Sequence, residues 1–105
     1  MKITKVESVA VDRFLFAKIY TDEGIVGYGE SGAWGFLEPS AAAIDKFGEY
    51  LTGKNPLLIE HHWQYMYRFS HFRGAAIMGA LSALDIALWD IAGKNFGVPV
   101  HQLLG

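Results

Sequence analysis

No cysteine occurs among the 105 residues, which excludes disulfide frameworks, thiolate nucleophiles and cysteine-based zinc sites and agrees with a reducing compartment. An excess of one charge is also missing. Nine basic and eleven acidic residues leave a net charge of −2, too balanced to argue for nucleic acid or an anionic membrane surface as a partner. The opening Met1-Lys2-Ile3-Thr4-Lys5 runs straight into a strand pattern, without the apolar stretch and cleavage site of a secretory signal, so the expected location is cytoplasmic. Neither GxGxxG nor GxxxxGK(S/T) is present, and Ser31 and Ser70 stand in no nucleophile elbow. Phosphate cradling and serine-based catalysis therefore lack support.

What the chain does have is apolar surface. Hydrophobic residues make up 51% of it, with twelve glycines besides, and a chain of this length forms one domain with a single core. The apolar share exceeds the roughly 45–50% of ordinary domains. Such an excess hints at a face buried against something else.

Alternation of β-branched and polar residues over 2–11 reads as a strand. Asp12-Arg13 breaks it, residues 14–21 resume it, and Asp22-Glu23-Gly24 supplies turn chemistry before a third strand over 25–30. In that strand Gly27 and Gly29 share one face, which signals close approach of another backbone or a bulky ring. Residues 31–38 have no period and read as a loop. Helices are expected over 39–52, over 56–68 with Asn55 as cap and Pro56 in first position, and over 74–96 closed by Gly97. The predicted fold is α+β, a three-stranded antiparallel meander followed by a three-helix bundle.

The last helix needs a membrane test, because residues 75–92 hold few charges over a spanning length. Asp85 and Asp90 inside it would be costly at bilayer depth, so a buried helix explains the pattern better. Gly79, Ala83 and Ala87 recur every fourth position, a spacing that lets another element pack closely.

Candidate chemistry is sparse. His61 and His62 are adjacent on a helix and point about 100° apart, and with His71 and His101 they read as partly exposed helix or loop histidines rather than metal ligands. Asp85 and Asp90, five apart, fall on different faces and read as structural, bonding to nearby backbone or an arginine. Residues 61–73 hold three histidines and two arginines, no acid, and five aromatics. That stretch suits a small organic anion, although spacing alone favours a solvated helix face over core aromatics. Arg73, in a loop beside Gly74, is its most site-like member.

The Met1-Lys2-Ile3 strand, Thr21-Asp22-Glu23-Gly24 followed by Gly27-Tyr28-Gly29-Glu30, the run from Ala80 to Lys94 (ALSALDIALWDIAGK) and the closing Gly97 to Gly105 (GVPVHQLLG) form an ordered set. Together they resemble the N-terminal domain of the mandelate racemase and muconate lactonising branch of the enolase superfamily, over the whole chain. Trp63-Gln64, Met66-Tyr67-Arg68 and Phe72-Arg73-Gly74 look most like the acid-sugar dehydratases of the galactonate and mannonate types.

The resemblance implies a cap domain over residues 1–105 and a catalytic (β/α)8 barrel absent from this chain, since a barrel needs at least about 200 further residues. It implies a parent enzyme, a carbon–oxygen lyase or a racemase, that removes a proton next to a carboxylate with Mg2+ bound by the barrel. No catalytic residue and no metal ligand transfers to this chain. The implied partners are the missing barrel, a small acid-sugar substrate and further copies in a homo-oligomer. In the family two cap loops line the pocket, matching 11–14 and 31–37 here, and dehydratase-like members add the segment matching 70–74. Trp34, Phe36, His71, Phe72 and Arg73 are the substrate-binding residues this implies, Trp34 and Phe36 being equally readable as core aromatics. The alternatives are a non-catalytic binding module reusing the cap fold, or the cap of a racemase or cycloisomerase.

Overall fold

A computed structural model describes residues 1–69 and 71–105. The alternating strands form as expected: β1 (Ile3–Val11), β2 (Phe14–Thr21) and β3 (Val26–Ser31) make one antiparallel sheet in the order β1-β2-β3. β2 is the central strand and shows why period two matters. Leu15, Ala17, Ile19 and Thr21 are buried under the helices, while Phe14, Phe16, Lys18 and Tyr20 lie half-buried on the open face. β1 departs from regular pairing between Ile3 and Lys5. There Ile3 instead exchanges hydrogen bonds with the 53–54 turn, its N–H donating to Lys54 O at 2.9 Å and its O accepting from Gly53 N at 2.8 Å.

Four helices follow: α1 (Leu37–Leu51), α2 (Ile59–Arg68), α3 (Ala75–Phe96) and the short α4 (Val100–Leu104). α1 begins two residues before the expected start. Pro39 sits in its first turn, where a missing N–H costs nothing because those amides have no partner inside the helix. α2 begins three residues later than expected, and the cap reading of Asn55 is corrected. Asn55 Oδ1 accepts from Leu57 N at 2.9 Å in a tight turn, and its carbonyl accepts from His62 Nε2 at 2.7 Å and from Leu58 N, which precedes the helix, at 3.4 Å. The helix therefore starts only after Leu58. α4 lies beyond the three expected helices; Pro99 opens it, with its carbonyl accepting from Gln102 N at 3.0 Å.

α3 is the hub, in contact with β2, β3, α1, α2 and α4. It buries Ala80, Leu81, Ala83, Leu84, Ala87, Leu88, Ile91 and Ala92, on about half of its circumference, and this broad apolar face gives a core helix a membrane-like composition. It runs antiparallel to β3, and the small residues on the two elements face each other. A Cβ on Gly27 or Gly29 would overlap the carbonyl oxygens of Ala87 and Ala83, and one on Gly79 would lie 2.7 Å from Ser31 Oγ. Strand residues two apart and helix residues four apart advance by similar distances, about 6–7 Å. The two patterns read separately in the sequence are thus one seam.

Side chains of α3 also reach the backbone of β3. Asp90 accepts from Tyr28 N at 3.0 Å, and Lys94 donates to Val26 O at 2.7 Å and to Asp90 at 2.8 Å. Asp90 has the structural role expected of it.

Candidate functional site

Because β3 and α3 are antiparallel, the C-terminal end of β3 meets the N-terminal end of α3. Leu15 pairs with Ser31, so the β1–β2 turn at Asp12-Arg13 arrives at the same end of the domain. There the 32–36 loop is folded tightly rather than left open. Trp34 N donates to Gly32 O at 2.8 Å, Phe36 N to Ala33 O at 3.0 Å, and Gly35 takes a φ of +83° that an L side chain would resist. At the loop's base the buried hydroxyls of Ser31 and Ser40 bond at 2.9 Å, and buried Ala33 lies against Gly79. Anchoring Ala33 inward turns its neighbours outward.

Trp34 and Phe36 are accordingly 62% and 68% exposed, and the alternative reading of them as core aromatics is corrected. The Arg13 guanidinium lies 5.8 Å from the Trp34 ring centroid and 5.2 Å from that of Phe14, within cation–π range. Arg13 was not singled out from the sequence, where nothing shows that a turn arginine will meet a loop tryptophan 21 residues on. His71, Phe72 and Arg73 are also exposed, in the segment leading into α3; Ser70, which belongs to the same expectation, lies outside the described residues. Arg73 stands 4.3 Å over the ring of Tyr67, which stacks on Trp63 at 4.9 Å. At this distance the guanidinium is within cation–π range of the ring, and its planar donors suit an anion. The structure thus joins Trp34 with Arg13 and Arg73 with Tyr67 at loops flanking one end of the fold.

The basic, aromatic stretch over 61–73 is resolved into faces. His61, Gln64, Tyr65, Arg68 and Phe69 line an open groove of about 670 Å³, while Met66 and His62 are buried. The expectation of partly exposed histidines is corrected for His62. Its Nε2–H donates to Asn55 O, which fixes Nδ1, 2.8 Å from the Tyr50 hydroxyl, as acceptor. Burial holds its pKa below the ordinary histidine value, against the opposing effect of the Asn55 bond.

Asp85 is half-buried on α3, and burial, followed by the Glu60 charge, raises its carboxyl pKa. Among the described residues no group of three or more His, Asp or Glu side chains converges on a point that a metal would occupy.

Comparison with known proteins places the whole chain. The family model for the mandelate racemase / muconate lactonizing enzyme N-terminal domain matches residues 2–105. A D-galactonate dehydratase of Variovorax paradoxus (strain S110) is 50% identical over 107 aligned positions, which cover 100% of this chain and 28% of that enzyme. One from Pectobacterium atrosepticum is 48% identical with the same coverage. Among solved structures, an enolase from Pantoea ananatis with bound D-gluconate and Mg superposes with a TM-score of 0.95 at 36% identity, over 99% of this chain and 27% of its own. An enolase-superfamily member from Salmonella Typhimurium gives 0.92 at 36% identity, over 99% and 28%. The chain spans little more than a quarter of the relatives it matches.

Proposed function

The chain belongs to the mandelate racemase / muconate lactonizing enzyme N-terminal domain family, and from that premise we propose that it is the cap domain of an acid-sugar dehydratase. Its catalytic barrel would lie outside these 105 residues and supply the base that takes the proton next to the substrate carboxylate. Mg2+, present in the gluconate-bound relative, would be held by the barrel. The cap's own work is to close the pocket, exclude water and hold the substrate. The observation that supports this reading is the pairing of Arg13 with exposed Trp34 and of Arg73 with Tyr67, on loops at the end of the fold where exposed Phe36, His71 and Phe72 also lie. Aromatic walls and guanidinium donors are what a small hydroxylated carboxylate needs for burial. We place the assembled enzyme in the cytoplasm as a homo-oligomer; the cysteine-free chain and the apolar side chains still exposed on several faces support that reading.

Arg73 tests it. In this role its fork pairs with the substrate carboxylate, which lysine matches in charge but not in bidentate geometry. Arg73→Lys in the full-length enzyme should lower kcat/KM for D-galactonate dehydration by about tenfold to a hundredfold. Its melting midpoint should move little, because the side chain is exposed. An unchanged kcat/KM, or a loss that follows reduced stability alone, returns Arg73 to a structural role.

A further inference from the structure

The buried stripe of α2 is narrow. It consists of Ile59, His62 and Met66, spaced i, i+3 and i+7 along one side of the helix. Its middle member is polar where an aliphatic side chain would be ordinary, and a buried imidazole is tolerated there because both of its nitrogens are engaged. The two bonds lead to different places. The Asn55 carbonyl ties α2 to the turn before it, whereas the Tyr50 hydroxyl ties it to the last turn of α1.

Tyr50 holds α2 a second time, its ring stacked on that of Tyr65 with centroids 3.8 Å apart and planes 10° apart. One turn earlier on α1, Phe47 meets Phe69 edge-on at 5.9 Å. Tyr65 and Phe69 lie on one flank of the buried stripe, and Trp63 and Tyr67 lie on the other. That second flank is the one that carries the Arg73 guanidinium, 4.3 Å over the Tyr67 ring. A helix anchored along one flank fixes the other by its rotation alone. With side chains reaching about 5–6 Å from the axis, a rotation of about 10° displaces a ring at the rim by about 1 Å.

We propose that His62 is a positioning residue for Arg73: by bonding the Asn55 carbonyl and the Tyr50 hydroxyl together it fixes the rotation of α2, and with it the place at which the Tyr67 ring holds the Arg73 guanidinium. In its kinetic consequence the proposal rests on the reading of Arg73 as the group that meets the substrate carboxylate.

Two measurements on the full-length enzyme test it. The first follows D-galactonate dehydration through a double-mutant cycle, below the melting midpoint of every variant. His62→Phe keeps a ring in the stripe but makes neither bond. It should lower kcat/KM by about tenfold in the wild-type background and by no more than about twofold in an Arg73→Ala background. Equal factors in the two backgrounds mean a merely structural His62 and overturn the proposal. The second times the modification of Arg73 by phenylglyoxal, read by peptide mass, and needs no turnover. His62→Phe should speed it by about threefold or more, as the guanidinium leaves the ring that favours its charged form. Equal labelling rates overturn the proposal whatever the kinetics. Should His62→Phe fail to fold, Tyr50→Phe removes only the hydroxyl and should move both readouts in the same directions; if it moves neither, the proposal falls. Altered labelling in an enzyme that does not dehydrate D-galactonate defeats the dehydratase reading and leaves the positioning intact, whereas dehydration with equal labelling rates defeats the positioning alone.

Discussion

His62 is the residue whose environment most constrains its chemistry. It is buried with both ring nitrogens engaged, so the native state holds it neutral, and its pKa lies below the ordinary value of 6.5. The unfolded chain therefore binds the proton more readily. Its contribution to stability is complete above pH 6.5 and is lost as pH falls toward the lower native pKa. The melting midpoint should decline between about pH 7 and pH 5.5, and His62→Gln, less stable at neutral pH, should decline less over that window. Equal slopes for the two proteins would show that the buried imidazole is not the titrating group. In the sequence this role was hidden, because His61 and His62 are chemically identical neighbours. Only the turn at Asn55, which delays α2 and turns a carbonyl toward the His62 ring, distinguishes them. Arg73 was legible as a loop arginine beside glycine, while Arg13 became visible only when the 32–36 loop was seen to fold back over the first turn.

Among elements, the seam between β3 and α3 sets the geometry of the candidate site, since it fixes which loops share an end. Gly29→Ala would drive a methyl group into the Ala83 carbonyl, with backbone on both sides and no flexible side chain to yield. The expected cost is on the order of 3 kcal/mol. Gly32→Ala, with open space around its Cβ position and no positive φ, should stay within about 0.5 kcal/mol of wild type. Chemical denaturation of both variants checks the pair; similar losses would mean that the seam is not close-packed. Period-two and period-four small residues were both readable in the sequence, and so were three strands and the full length of α3. Their mutual facing was not, because it depends on chain direction and tertiary register, which local patterns do not encode. The displaced start of α2 has a related cause, a side-chain hydrogen bond outcompeting a helical one.

At the scale of the whole molecule, α3 has the length and apolarity to cross a membrane, yet its buried side chains pack against strands and helices of the same chain. Transferring it to lipid would mean unpacking the entire core. In a flotation assay with neutral or anionic vesicles the chain should remain with the soluble fraction, and co-flotation at physiological salt would refute a water-facing fold organised around this helix.

The bonds that Asp90 and Lys94 make to Tyr28 N and Val26 O have a further effect on the company the domain keeps. β3 lies at one margin of the sheet, and such margins recruit strands from other molecules through unpaired amides and carbonyls. Here two of those positions are already occupied by charged side chains from a helix of the same chain, and the opposite margin is closed at Ile3 by the 53–54 turn. Strand addition at these points would first have to break an internal bond to a charged group. The sheet is protected at these positions against edge-to-edge aggregation, a safeguard that matters in a protein with so much apolar surface.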